Sequence, residues 1–190
     1  MTVINNAFLL LLIMSSGFSD LKERKIPNEI TFSGILIGII LNLLMGGWTG
    51  LLQGILGMFV GMAIFFLPFA MGGMGAGDVK LMGAIGALMG WEFSVMTALF
   101  AAIIGGIMVV IHLIYVGKLR DTLKKMLYAL INLLLQFATV LGHNEKIHKA
   151  HEKFSKNGYD YKKIYIPYGV AIAGGAVFVL IAYRQGFPVF

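Results

Sequence analysis

The chain has 190 residues, 58% of them hydrophobic and 13% charged, with a mean hydropathy of +0.86. An ordinary soluble domain is about half apolar and a quarter charged, so the composition excludes that class and reads as a membrane protein. There is no Cys, which removes disulfides, thiolate nucleophiles and Cys-based zinc sites. The formal net charge of +6 belongs to membrane topology: the basic residues flank apolar segments and form no groove-entering face, so no nucleic acid is expected as a partner.

Apolar runs occupy residues 3–18, 30–45, 51–71, 79–90, 93–116 and 166–183. A helix needs roughly 20 residues to cross a hydrocarbon core of about 30 Å, and six transmembrane helices are expected in a single polytopic domain over residues 1–190. The first run, in "MTVINNAFLLLLIMSSGFSD", has no Lys or Arg before Lys22, unlike the basic start of a signal peptide, and reads as a retained helix. With the N-terminus outside, every Lys and Arg except Arg184 falls on the cytoplasmic side, as the positive-inside rule favours. Trp48 and Trp91 then fall at the two outer turns, where indole rings favour the interface.

Residues 126–142, "MLYALINLLLQFATVLG", are nearly long enough to span. Leu123, Leu127, Leu130, Leu134 and Ala138 share one helical stripe, with Lys125, Tyr128, Asn132 and Gln136 elsewhere, the pattern of a helix lying in the interface. Inserting it would also carry the basic segment Lys146 to Lys163 outside. Residues 117–165 are therefore expected to form a cytoplasmic-face amphipathic helix and a polar loop, His143 to Tyr165, held by anionic membrane lipid.

The stretch "GGMGAGDVKLMGAIGALMG", residues 72–90, places Asp78 between a glycine-rich turn and an apolar run. The run from Val79 to Gly90 rises only about 18 Å at 1.5 Å per residue, so its start is expected below the membrane surface. Irregular backbone at that depth is tolerated where it is buried in protein or lines a wet cavity. Asp20, in "SDLKERKIPNEI", ends the first helix on the same side, and folding could bring the two acids together. Carboxylates a few ångströms apart cannot both ionise cheaply and share one proton. Such a pair can activate water against a peptide carbonyl while protonating its oxygen, with no metal or cofactor. Proton transport would use the same acids, so the residues alone leave a non-enzymatic transporter or proton relay open, as well as a catalytically silent assembly protein.

Three motifs narrow the choice. Gly75-Ala76-Gly77-Asp78 forms GxGD, and the following "VKLMGAIG" resembles the continuation in type IV prepilin peptidases. "DLKERKIPNEIT" resembles that family's first-aspartate motif, with Asp20 followed by Arg24, Ile26, Pro27 and Asn28. "IPYGVAIAGGA", with Pro167, Tyr168 and Gly169, resembles its last-helix motif. The short length and this ending look most like the small peptidases of tight-adherence (Flp-type) pili. The resemblance implies an aspartic endopeptidase of the inner (cytoplasmic) membrane that cuts the leader from prepilins, with Asp20 and Asp78 as catalytic pair. It also implies no methyltransferase activity, since the cytoplasmic region with paired cysteines found in bifunctional members is not present. Archaeal preflagellin peptidases are similar enough to stand as an alternative.

Plainer readings accompany these residues. Asp78 also reads as a helix N-cap, and Asp20 as an interfacial charge paired with Lys22 or Arg24. Lys80 reads as a cation reaching to the interface. Pro27 and Asn28 read as a stop and a cap for the next helix. His148 and His151 beside Glu152 lack a third ligand, so no metal is expected, and His112 reads as an interface-reaching or hydrogen-bonded group. Glycines four apart, Gly34/Gly38, Gly50/Gly54, Gly57/Gly61 and Gly86/Gly90, read as close helix-packing faces, with a homodimer through one of them as an alternative.

Overall fold

The structure, a computed structural model, describes residues 3–124, 126–128, 130–131 and 167–186. Every regular element among them is a helix: α1 (Val3–Glu23), α2 (Asn28–Ala70), α3 (Ala76–Met89), α4 (Trp91–Tyr115) and α5 (Tyr168–Arg184), with residues 119–124, 126–128, 130 and 131 also helical. Helices α1, α2 and α4 are long and apolar enough to cross a membrane, and α5 is a shorter apolar helix. Lys125, residues 132–142 with Leu134, Gln136 and Ala138, and the loop His143 to Tyr165 with His148, His151 and Glu152 lie outside the described residues.

The chain forms two compact units, Met1–Ile107 with Ile166–Phe190, and Met108–Tyr165. In the second, Leu113 is buried whereas His112, Leu123, Leu127, Tyr128 and Leu130 are exposed.

In the first unit, the 43 residues of α2 are two arms. A Cβ on Gly38 would lie 2.6 Å from the Ala87 carbonyl carbon, and one on Gly54 would lie 3.2 Å from the Ala87 oxygen. In a straight helix those two glycines would be about 24 Å apart, so the chain folds back between them. The turn is at Gly47, whose φ of 57° and ψ of −141° suit a residue without Cβ. The two arms correspond to the apolar runs 30–45 and 51–71 of the sequence.

Helix α3 lies between the arms. Gly34 and Gly38 meet Ala84 and Ala87 on one side, and Gly54, Gly57 and Gly61 meet Ala87, Gly86 and Met82 on the other. The first arm thus runs parallel to α3 and the second antiparallel. Leu81, Met82, Ala84, Ile85 and Ala87 of α3 are all 0% exposed. Between apolar helices the drive is van der Waals contact, which small residues permit by letting backbones approach. Asn42 adds a polar clamp, its Nδ2 donating to the Ala87 carbonyl at 2.7 Å. These glycine faces are therefore occupied within the chain.

Helix α1, α4 as far as Ile107 and α5 complete the unit. Leu9, Leu12, Ile13, Ser16 and Asp20 form the buried stripe of α1, spaced as one face of a helix requires. Gly17 of this face lies against Ala173 of α5, and Gly175 of α5 lies against the backbone of Thr97 and Ala101 in α4. Trp48, beside the Gly47 turn, and Trp91, after the α3 terminus at Gly90 (φ 89°), sit at the end of α3 remote from Asp78.

Candidate active site

Asp20 is the last buried residue of the α1 stripe, 3% exposed. Its position follows from where α1 stops. Arg24 adopts a left-handed φ of 53°, its N–H still donating to the Asp20 carbonyl at 2.9 Å, and the Ser19 hydroxyl donates to the Lys25 carbonyl at 3.0 Å. A left-handed residue just past the last turn is a common helix terminator. The helix therefore ends with Asp20 still on the inward face. Its carboxylate Oδ2 accepts the Gly169 N–H at 2.8 Å, across 149 sequence positions.

Gly169 is in the first turn of α5, whose N-cap is Pro167. A Cβ on Gly169 would lie 2.8 Å from Asp20 Oδ2 and 3.1 Å from its Cβ and Cγ. Tyr168 packs its ring against Gly105 of α4, where a Cβ would be 3.2 Å from the Tyr168 Cε1. The Pro-Tyr-Gly triplet thus has three parts: a cap without a side-chain acceptor, an aromatic ring docked on α4, and a glycine pressed against an acid.

Asp78 is 8% exposed and stands at the third position of α3. The helix has Gly75, not Asp78, as its N-cap, which corrects the plainer reading of this acid. The Asp78 carboxylate reaches back to accept the Gly75 N–H at 3.0 Å, half of a capping box, since glycine has no side chain to complete it. An acid in the first turn also suits the positive helix end. Irregular backbone precedes it as the composition implies, with Gly72 at a φ of 74°. Gly77 serves close approach: its Cβ would lie 3.1 Å from the Ile26 Cβ. Ile26 is itself buried, and it wedges the segment between α1 and α2 against the first turn of α3.

That wedge brings the two acid-bearing motifs together. The sequence motifs thus meet at one end of the unit: Asp20, Ile26 and Pro27 from the first, Gly75, Gly77 and Asp78 from the second, Pro167, Tyr168 and Gly169 from the third. Two buried carboxylates, Asp20 and Asp78, are thus each held by a glycine amide at this end.

Two expectations need correction. Lys80 does not simply reach for an interface: its Nζ donates to Asn28 Oδ1 at 2.8 Å and lies 5.1 Å from the Phe32 ring centroid. Nor is Asn28 the cap of α2, because Pro27 holds that position with a ψ of 141° and the Asn28 side chain is committed to Lys80. Together these contacts join α3, two residues beyond Asp78, to the start of α2. Phe32 and Gly105 are the participants that sequence reasoning missed. An aromatic or a glycine within an apolar run carries no mark of its partner.

Comparison with known proteins agrees with the motifs. Residues 7–110 match the type IV leader peptidase family. The chain is 32% identical over 103 residues to a prepilin leader peptidase/N-methyltransferase of Aeromonas hydrophila, covering 50% of this chain and 35% of the relative. It is 31% identical over 117 residues to the protein of that name from Legionella pneumophila, covering 58% of this chain and 41% of the relative. The matched region thus spans well under half the length of these relatives. No solved structure gives a significant match. With more than half of its length matched, the chain belongs to the type IV leader peptidase family.

Proposed function

We propose that this chain is an intramembrane aspartic endopeptidase that removes the short leader from type IV prepilins, with Asp20 and Asp78 as the catalytic pair. The observation that carries the reading is that two buried acids from separate helices are each anchored by a backbone amide at the end of the unit where Ile26 packs on Gly77. In the reaction, the ionised carboxylate takes a proton from water as the water oxygen attacks the scissile carbonyl carbon. The protonated partner gives its proton to the carbonyl oxygen. As the tetrahedral gem-diol collapses, the C–N bond breaks, the first carboxyl gives the amine the proton it took from water, and the second carboxylate takes back the proton of a gem-diol hydroxyl as the C=O re-forms, so the dyad returns to its starting state with one proton. No metal or cofactor enters the scheme.

In this reading α1, both arms of α2, α3, α4 and α5 are six membrane segments of one peptidase domain. The N-terminus is outside and the acid end faces the cytoplasm of the inner membrane, as the distribution of Lys and Arg supports. At 14 residues, α3 rises about 21 Å, short of a hydrocarbon core of about 30 Å, which supports an acid below the surface and within reach of water. The substrate would rest its apolar helix in the bilayer and present its leader to the acids. We assign it the Flp-type prepilins, from the "IPYGVAIAGG" ending, and peptidase activity without methyl transfer. Gly75, Gly77, Lys80, Arg24, Pro27, Asn28, Pro167, Tyr168 and Gly169 shape the site around the pair, and anionic lipid holds the basic cytoplasmic face.

The test is cleavage of Flp-type prepilins by purified protein in detergent, with Asp20→Asn and Asp78→Asn made separately. Cleavage by wild type and loss in both variants is expected. Wild-type turnover in either variant would remove the paired-acid mechanism. Failure of the wild type on every prepilin would favour a silent assembly protein or a proton relay.

A further inference from the structure

The two acids are held differently. Asp78 is anchored by the cap of its own helix, so its geometry is local. Asp20 is anchored by α5, a helix that begins 148 positions after Asp20 in the chain, and so depends on docking. We infer that Gly169 is a positioning residue for Asp20, and that the first turn of α5 sets the geometry of the acid pair. This inference rests on the peptidase reading.

Three observations carry it. First, Pro167 at the N-cap makes no side-chain capping bond, and the first-turn amide of Gly169, which has no partner within its own helix, finds its acceptor in Asp20 across the bundle; the acid of α1 caps α5. Second, all three of the nearest atoms to a Cβ at Gly169 belong to the Asp20 side chain, at 2.8–3.1 Å, so any larger residue displaces the carboxylate. Third, α5 has no room to retreat. Gly175 packs so closely on α4 that a Cβ there would lie 2.8 Å from the Thr97 oxygen and the Ala101 nitrogen, and Tyr168 is seated against Gly105. The strain of a side chain at position 169 therefore falls on Asp20.

The experiment compares Gly169→Ala with Gly174→Ala in the full chain, following cleavage of a prepilin. The Cβ at position 174 would meet only the Ile104 side chain, at 3.2 Å from its flexible Cδ1 end, so it controls for adding a methyl group to α5. Gly169→Ala is expected to lower kcat by about 10–100-fold, as a misplacement of about an ångström does, with KM unchanged, while Gly174→Ala keeps near-wild-type kinetics. Equal kinetics for the two variants, or a rise in KM alone, would overturn the inference. A second measurement does not depend on activity: hydrogen exchange at residues 168–171 in wild type, Asp20→Asn and Asp20→Ala. The Asn oxygen still accepts the Gly169 N–H, so exchange is expected to quicken only in Asp20→Ala. Identical exchange in all three proteins would refute the contact, whether or not prepilin is cleaved. Normal exchange behaviour without any wild-type cleavage would leave the contact standing and reject the peptidase reading instead.

Discussion

The seam between α3 and the second arm of α2 gives the sharpest stability prediction. Gly57 and Gly86 face each other so closely that a Cβ on either would strike the carbonyl group of the other, and a Cβ on Gly86 would also lie 2.6 Å from Ser94 Oγ. A carbonyl of a neighbouring helix cannot rotate aside as a side chain can, so Gly86→Ala forces the helices apart. Gly106, in α4, has nothing within 4 Å of its Cβ position and is exposed. Each Gly→Ala change carries the same gain in helix propensity, up to about 1 kcal/mol, which cancels between them. What remains is the overpacking penalty, about 3 kcal/mol at the upper end of the usual ~1–3. With about 2–4 °C per kcal/mol for a chain of this size, Gly86→Ala should melt about 6–12 °C below Gly106→Ala. The assay is a thermal melt of both purified variants in one detergent. Equal midpoints would refute the close backbone seam.

Other outcomes follow from single contacts. Gly77→Ala must push Ile26, whose Cβ would be 3.1 Å away, whereas Gly75→Ala meets only Asp78 Oδ2 at 3.4 Å and keeps the backbone N–H that holds it; prepilin cleavage should fall in the first and survive in the second. Asn42→Leu removes the bond to the Ala87 carbonyl, and since interhelical bonds in membranes average about 0.6 kcal/mol, the melting midpoint should drop by only a few degrees. Lys80→Met and Asn28→Ala should each weaken the protein slightly. Their double variant should lose less than the sum, because a partly exposed charged hydrogen bond contributes about 1 kcal/mol at most; strict additivity in melts of the three variants would show the pair to be uncoupled.

Much of this arrangement was legible in the sequence, for reasons particular to each part. Asp20 and Asp78 stood out because acids beside apolar runs are costly and rarely idle. The glycines four apart marked close-packing faces, and the break at "MGGWTG" separated the two arms of α2. What pattern could not supply was the partner. Gly38 against Ala87, Lys80 with Asn28 and Gly169 with Asp20 are contacts of tertiary folding, and no periodicity within a helix encodes a neighbour 49, 52 or 149 positions away. The same limit explains Lys80. A lone cation beside a membrane run reads as reaching for water until Asn28 is seen to receive it. The enclosure of α3 was hidden as well, because a helix apolar on all sides has no face to announce which neighbours surround it.

Convergence of the two acids is the claim on which the mechanism depends, and the absence of native cysteine makes it directly measurable. Paired cysteines at positions 20 and 78 are treated with a short thiol-to-thiol cross-linker in membranes. The pair at 17 and 173, where the Cβ atoms would be 3.8 Å apart and suit a disulfide, serves as positive control, and 20 with 91, at the other end of α3, as negative control. The account predicts a link between 20 and 78 comparable to the positive control. Linking of the positive control alone would contradict it.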